Sequence, residues 1–411
     1  MGLVHLLALV RGGGKTTITV FNDKPETATQ LQNLAKDYQN SHKNVQIDIS
    51  TVGGTQDGNA ALKSMFASSN NGPTLFMIAG LTYVNEYQKY LVDQTNSDLT
   101  KQAIKGTLAG ATLNGKVYGA PTNVEGSGFI VNKALFKKAG IDPESIKSFS
   151  DFKTAVETLD AKKSELGIQS VFALDGKENW VPTHDAGYFI NPEFNNDVAK
   201  AYNSRDFKFT YNQDFKNYID LENKYNAQPY ASLDYTTAVQ NLFATGKVAI
   251  ISQGNWVIPT LQTTAGADFA KNNIAIVPMF NSSSDSGKIM ADAAWYWGVN
   301  KTASKDQQTS AQDFLKWMYT DPTAMKSITN DFQYIPAYKN FSADSISNPV
   351  SKKIFNYMNE GKTIPFIYNN YPTGWANNYF GAQVQAYTSG QKSWDDLTKD
   401  VVKTWNATPK N

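Results

Sequence analysis

The stretch "TITVFNDKPETATQLQNLAKDYQNSHKNVQIDIS", residues 17–50, carries the pattern that decides the fold. Apolar residues alternate with polar ones in "TITVF", as in a half-buried strand, and the residues after Pro25 predict a helix over 27–38. A second alternating run, "VQIDIS", begins at Val45. The stretch therefore predicts a β-α-β unit.

The same alternation of strand and helix continues along the chain. "NAALKSMFASS" at 59–69 predicts a helix, "TLFMIAG" at 74–80 a third strand, and "GSGFIVN" at 126–132 a further strand. Helices are also expected from Ser150 to about Ser164, over 235–245, and after a Ser393 cap. This order indicates an α/β fold with a largely parallel sheet.

Length and composition limit the classes of function. A chain of 411 residues is long enough for two large lobes. Its 38 Lys and Arg residues balance 37 Asp and Glu residues, so it has no electrostatic footprint for nucleic acid or an anionic membrane. Aromatic residues make up 12% of the chain, and their flat apolar faces suit ligands such as sugars.

The chain offers little for metal or nucleophilic chemistry. It has no cysteine, which excludes disulfides, thiolate metal sites and cysteine nucleophiles. Its three histidines, His5, His42 and His184, leave little scope for His-based metal sites or catalytic triads. We therefore expect no metal and no cofactor. No run approaches the ~20 apolar residues of a membrane span.

The N-terminal stretch "MGLVHLLALVRGGGKTT" is a poor signal peptide. It has an apolar run from Leu3 to Val10, but no basic region before it and no small-residue cleavage site. Arg11 and the three glycines after it are typical of an added head and a flexible linker. We therefore leave residues 1–15 out of the fold and expect that the native N-terminus has been replaced.

A tryptophan follows directly on an apolar strand in "KVAIISQGNWVIP", residues 247–259. The apolar run ending at Gly254 and Asn255 predicts a buried strand and then a turn, which places Trp256 near the strand end. Ligands bind at such ends in sheet-based folds. The alternative is that Trp256 fills the core.

Several segments together resemble the extracellular solute-binding proteins of carbohydrate ABC transporters, the group that includes the maltose-binding proteins. The segments that carry the resemblance, in chain order, are "LNGKVYGAP" from Leu113, "FIVNKALFKKAGID" from Phe129, "AVQNLFATGKVAIISQGNW" from Ala238 and "AQDFLKWMYTDP" from Ala311. The chain departs slightly from the family at Ser148 to Asp151, where a Pro-Lys-Thr-Trp type of run is usual.

The resemblance implies a periplasmic-binding-protein fold, in which two discontinuous α/β lobes joined by hinge strands close on a sugar. By analogy, the first lobe takes residues 16–124 and 271–329, and the second takes 125–270 and 330–411. One hinge strand would run from Pro121 to Gly126.

The candidate ligand-binding residues are polar or aromatic side chains, and one glycine, at predicted strand ends, in the hinge or in loops. They are Asn22, Asp23, Lys24, Gly54, Asn123, Glu125, Trp180, Asn255, Trp256, Asp292, Trp295, Tyr334 and Trp375.

The resemblance supports some of these candidates more than others. An acidic residue like Glu125 lies near the ligand in the maltose-binding members, and the tryptophan matching Trp256 stacks on sugar there. Asn22 to Lys24 could instead form an ordinary polar turn, and Gly54 a plain glycine turn. Trp180 lies in the predicted loop "DGKENWVPTHD", where His184 and Asp185 are weaker candidates.

Only part of "WYW" at 295–297 can contact a ligand, because alternate residues of a strand face opposite ways. We assign Asp292 and Trp295 to the site and Trp297 to packing. Trp317, Trp394 and Trp405 lie at helical spacings among apolar neighbours and are expected in cores.

The sequence therefore predicts the binding component of an ABC importer, not an enzyme. It would be a monomer held outside the cell as a lipoprotein, or in a periplasm, that delivers an oligosaccharide to transmembrane permease subunits. The alternatives are a glycoside hydrolase using Glu125 and Asp292 as its carboxylate pair, or a binder of peptides or polyamines.

Overall fold

The computed structural model of the protein describes residues 14–53, 56–68, 72–104, 106–227 and 229–410. Its first elements are strand β1 (Thr16–Asn22), helix α1 (Ala28–Ser41) and strand β2 (Val45–Thr51). The two strands pair in parallel, with Ile18 opposite Ile47. The predicted β-α-β unit is therefore confirmed.

The remaining strands of the described residues are mostly short. They are β3 (Leu75–Ile78), β4 (Thr112–Leu113), β5 (Lys116–Val117), β6 (Ala120–Pro121), β7 (Glu125–Asn132), β8 (Ser170–Phe172), β9 (Val248–Gly254), β10 (Ile274–Val277), β11 (Ile289–Asp292), β12 (Tyr296–Val299) and β13 (Thr363–Ile364).

The remaining α-helices lie between these strands and after them. They are α2 (Gly58–Ala67), α3 (Leu81–Tyr87), α4 (Asp98–Gln102), α5 (Lys133–Lys138), α6 (Phe149–Ala161), α7 (Lys163–Leu166), α8 (Trp180–Ile190), α9 (Val198–Asn203), α10 (Asn212–Tyr225), α11 (Ile258–Ala265), α12 (Ala267–Asn272), α13 (Lys305–Thr320), α14 (Pro322–Asn330), α15 (Pro349–Asn359), α16 (Gly381–Thr388) and α17 (Trp394–Ala407).

Two sheets form the centres of two lobes. The first sheet has five strands in the order β2-β1-β3-β12-β6, and β12 is its antiparallel member beside β3. The second has six strands, in which β13, β11, β7, β9 and β8 follow one another and β10 also pairs with β7. Every residue of β7 is buried, as expected for a central strand.

The two sheets are joined by chain segments that run beside each other. Residues 122–124 connect β6 to β7, and residues 293–295 connect β11 to β12. The Thr122 amide donates to the Trp295 carbonyl at 3.0 Å, and Val124 forms a bridge with Ile335. The predicted two-lobed α/β fold is confirmed.

The return to the first lobe comes later than residue 271. Strands β10 and β11 both pair with β7 in the second sheet, through Ile276 opposite Ile130 and Met290 opposite Ser127. One edge of β7 is occupied by β9, so the two short strands share the other edge in succession. The chain enters the first sheet again only at Tyr296.

The last crossing also comes later than residue 330. The Ile104 amide donates to the Ala337 carbonyl and the Lys339 amide donates to the Gln102 carbonyl, each at 2.8 Å. These hydrogen bonds hold the segment up to residue 339 against the first lobe.

Two local expectations change in the structure. The predicted loop at 175–185 becomes helical from Trp180, and Pro182 is tolerated because it lies in the first turn, where no intrahelical N–H bond is lost. The helix expected from Ser150 is α6, capped by Ser148, whose hydroxyl accepts from the Asp151 amide at 3.0 Å. The predicted Ser393 cap of α17 is confirmed.

Candidate functional site

A polar turn follows β1 in the first lobe. Asn22 is fully buried, and its side chain bonds the Lys24 backbone and the Thr51 hydroxyl at 3.1–3.2 Å. This places Asn22 in the turn's own scaffold, which corrects its assignment as a ligand contact. The side-chain amide of Asn22 thus fixes the backbone of Lys24, whose ammonium reaches Glu125 in the other lobe.

Lys24 of the first lobe forms a buried ion pair with Glu125 of the second lobe. Its ammonium donates to Glu125, the first residue of β7, and lies 2.7 Å from Glu26. Burial alone lowers the pKa of Lys24, but Glu125 and Glu26 outweigh burial and raise it well above its ordinary value. The ammonium also lies 5.4 Å from the centre of the Tyr334 ring, as in a cation–π contact. Three predicted site residues, Lys24, Glu125 and Tyr334, therefore meet.

Asp23 lies beside this group and is partly exposed. Its carboxylate packs against Gly58, where a Cβ would come within 1.9 Å of an oxygen. Burial, and then the negative charge of Glu26, raise the pKa of Asp23 to about 7. Because a carboxyl group with this pKa exists in both protonation states near neutrality, it can accept or donate a hydrogen bond to a ligand.

The second lobe contributes an aromatic cluster. The ring of Trp256 lies 6.2 Å from the ring of Trp180 and 5.5 Å from that of His184, both edge to face. His184 also contacts Tyr368 at 4.8 Å, and burial lowers the pKa of His184 to about 3. Its imidazole is therefore neutral, and the cluster offers flat faces without charge.

The Trp256 ring is held in one orientation from behind. Its indole N–H donates to Gln253 Oε1 at 2.7 Å, and the Gln253 amide donates to both carboxylate oxygens of Asp175, at 3.0 and 3.1 Å. Gly254 lies under the ring, where a Cβ would come within 2.3 Å of it and of the Gly126 carbonyl. The predicted strand end therefore carries a fixed, partly exposed indole.

The aromatic and polar groups adjoin each other across the lobes. Burial, and then the nearby Glu125 carboxylate, raise the pKa of Tyr368. Asp23 also raises this pKa, whereas the Lys24 ammonium lowers it. The arrangement thus combines ring faces from the second lobe with the Lys24 ammonium and the Asp23 carboxylate of the first lobe and the Glu125 carboxylate of the second.

Two further candidates form hydrogen bonds with the segments that cross between the lobes. Asn255 is buried and its Oδ1 accepts from the Gly126 amide at 2.8 Å. Asn123 is also buried, and its side chain accepts from the Thr122 hydroxyl and donates to the Val124 carbonyl. Both side chains bond local groups of these segments, and their assignment as ligand contacts stays a prediction.

Asp292 and Trp295 flank the second crossing and are both partly exposed. Burial raises the pKa of Asp292 to about 7, and the carboxylate accepts from the Ala293 amide at 2.8 Å. It also lines an interlobe cavity of about 630 Å³. The ring of Trp295 packs edge to face against Tyr83 at 6.5 Å.

The structure corrects the expectation for Trp375. Its ring is 1% exposed, its N–H donates to the Val401 carbonyl at 2.9 Å, and it packs against Trp405 and Phe380 at 4.8 Å. The polar neighbours in sequence gave no sign of this core. No ring face is left for a ligand.

Three other tryptophans follow their predictions, whereas Trp317, also expected in a core, is only partly buried. Trp297 is buried and donates to the Tyr319 hydroxyl, while Trp394 and Trp405 are buried in the second lobe. Trp317 packs against Tyr38 and Phe314. Gly54 lies outside the described residues.

Sequence reasoning missed Tyr368, Gln253 and Asp175. A signal existed for Asp175, because it lies three residues after the end of β8, close to a strand end as Asp23 is. Gln253 lies three residues before Trp256, but its contact depends on a turn that spacing alone does not specify. Within the described residues, no group of three or more His, Asp or Glu side chains could hold a metal ion. No described helix is long and apolar enough to cross a membrane.

Two named proteins from other organisms are similar in sequence to this chain. A multiple sugar-binding protein of Streptococcus mutans is 27% identical over 169 residues, 40% of this chain and 38% of that protein. A maltotriose-binding protein of Pyrococcus abyssi is 24% identical over 347 residues, 79% of this chain and 67% of that protein. The match to the first of these relatives thus spans well under half of its length.

Solved structures resemble the whole fold. A chitin oligosaccharide binding protein superposes with a TM-score of 0.78 at 20% identity, covering 96% of this chain and 99% of its own. The family model described as "Bacterial extracellular solute-binding protein" matches residues 23–325. Because this match covers most of the chain, the chain belongs to the bacterial extracellular solute-binding protein family.

Proposed function

We propose that this chain is the substrate-binding component of an ABC importer and captures an oligosaccharide between its lobes. The observation that carries the proposal is the fixed indole of Trp256, grouped with Trp180 and Tyr368 beside the Lys24–Glu125 pair. Solute binding by the family is consistent with it.

The chemistry of the two clusters matches that of a sugar. A pyranose ring has apolar C–H faces that stack on indole and phenol rings, and hydroxyls around its rim. Carboxylates and the ammonium can pair with those hydroxyls, so that few polar groups are left buried without partners. The neutral His184 adds no charge to the aromatic faces.

The relatives support sugar as the ligand class. The two curated relatives compared above are named for multiple sugars and for maltotriose. More than one aromatic face in this chain favours at least two sugar units over one. We infer no particular sugar unit from these residues.

The proposal extends to location and partners. We infer a monomer outside the cell, tethered as a lipoprotein or free in a periplasm, that passes its ligand to transmembrane permease subunits. The extracellular description of the family supports this location. The near-neutral composition, with 38 basic and 37 acidic residues, supports a small-molecule ligand over nucleic acid.

We further infer that the site binds without catalysis. Glu125 and Asp292 are opposite each other in β7 and β11, as a carboxylate pair would be, and the raised pKa of Asp292 would suit a general acid. However, the Glu125 carboxylate is buried and ion-paired with Lys24, and the family to which the chain belongs binds solutes.

Titration calorimetry with a panel of ligands tests the proposal. The panel contains neutral mono-, di- and trisaccharides, a peptide mixture and spermidine, and each sugar is also incubated with protein for a day and checked for cleavage. We expect a di- or trisaccharide to bind more tightly than its monosaccharide, without cleavage. Binding of peptide or polyamine in place of sugar would refute the proposal, and product in excess of protein would establish hydrolysis.

A further inference from the structure

A short contact between the lobes lies outside the ligand-binding residues described above. On the first lobe it comprises Gly80, Leu81 and Thr82, where β3 leads into α3, and on the second it comprises Asn369 and Asn370, after β13. We call these five residues the interlobe latch.

Two hydrogen bonds join the halves of the latch. The Leu81 amide donates to Asn370 Oδ1 at 2.6 Å, and the Thr82 hydroxyl donates to the Asn369 carbonyl at 2.9 Å. Asn370 is 2% exposed, so the first bond is shielded from water. Residues 80–82 and 369–370 are nearly 290 positions apart, so these bonds depend on the relative position of the lobes.

Gly80 permits the close approach. Its φ is +82°, a conformation that side chains rarely adopt, and a Cβ there would lie 2.8 Å from both the Asn369 carbonyl and Asn370 Oδ1. The space left by the missing side chain is thus filled by the second lobe. Leu81 adds apolar contact, because its buried side chain clusters with the hydrophobic core of the second lobe.

The latch is continuous with the aromatic cluster. Tyr368 precedes Asn369 in the same short turn, and its ring contacts His184, which in turn contacts Trp256. The turn that contacts the first lobe is therefore the turn that carries Tyr368, one of the rings of the proposed ligand site. One turn of the chain links the proposed sugar face to lobe closure.

We propose that Thr82 and Asn370 are positioning residues for the ligand: they hold the lobes closed over it without contacting it. This inference rests on the proposed sugar-binding function. Because the latch bonds form only when the lobes meet, their loss should speed ligand dissociation more than it slows association. Each lost hydrogen bond should weaken affinity about two- to tenfold.

The test compares Asn370→Ala and Thr82→Val with the wild-type chain, and uses Thr82→Ser as the matched control that keeps the hydroxyl. Because the chain has no native cysteine, spin labels can be attached at Lys43→Cys and Lys208→Cys, exposed positions in the first and second lobes, for distance measurements. Stopped-flow fluorescence gives the dissociation rates with the sugar that binds most tightly in the panel. Melting of the ligand-free proteins checks the fold.

We expect Asn370→Ala and Thr82→Val to release sugar two to ten times faster, to populate longer interlobe distances and to melt cooperatively as folded proteins. Thr82→Ser should behave as the wild type. Unchanged dissociation rates and distances in both variants would overturn the latch. If the wild-type chain binds no sugar, the proposed function fails separately, and the ligand-free distances still decide: a larger closed fraction in the wild type supports the latch, and equal fractions overturn it.

Discussion

Replacing Trp256 by alanine should remove a ligand-binding face while leaving the second lobe folded. The ring is partly exposed and is held by one hydrogen bond to Gln253. If a sugar covers about 60 to 80 Å² of the indole face, burial at ~25 cal/mol per Å² is worth about 1.5 to 2 kcal/mol. At ~1.4 kcal/mol per decade, the affinity should fall roughly ten- to thirtyfold.

The matched control is Trp297→Ala, which removes a buried indole of the first-lobe core. Truncation of a core tryptophan costs about 3 to 5 kcal/mol of unfolding free energy, so this variant should unfold at markedly lower urea concentration. Calorimetry measures sugar affinity, and urea unfolding without sugar measures stability. If Trp256→Ala loses stability as Trp297→Ala does, while its folded fraction binds sugar normally, then Trp256 is a core residue and the reasoning is refuted.

The other predictions concern the surroundings of this ring and the buried charges. Lys24→Met should lower the free energy of unfolding in urea by about 3 to 5 kcal/mol, because it leaves Glu125 buried without its cation. Adding Glu125→Gln to this variant should recover part of that loss. If the double variant is no more stable than Lys24→Met, the buried ion pair between Lys24 and Glu125 is contradicted. Gln253→Leu should weaken sugar binding about two- to tenfold by freeing the Trp256 indole, and an unchanged affinity would count against that support. Burial raises the pKa of Asp292 to about 7, so its contribution to stability is complete below about pH 4 and is lost as the pH rises through 7. Asp292→Asn should therefore flatten unfolding free energy against pH over that range, and an identical slope would contradict it.

The first-lobe opening and the Trp256 strand end could be predicted because local patterns dictate them. Alternating apolar residues specify β1 and β2, and the Ser393 hydroxyl caps α17 with only its near neighbours. The apolar run before Gly254 and Asn255 likewise places Trp256 at the end of β9. These features depend on interactions within a few residues, which the order of amino acids specifies directly.

The burial of Trp375 could not be predicted from local order. Trp256 and Trp375 both follow glycine-containing turns with polar neighbours, yet Trp375 is buried because Trp405, thirty positions away, packs against it. The partners of Lys24 and Asn370 lie 101 and 289 positions away. The amino-acid sequence by itself determined most of the strands and helices and the family resemblance, whereas the tertiary structure decided which side chains meet. The physical reason is that burial and pairing between distant segments depend on how the two sheets and their crossings assemble, which no local periodicity encodes.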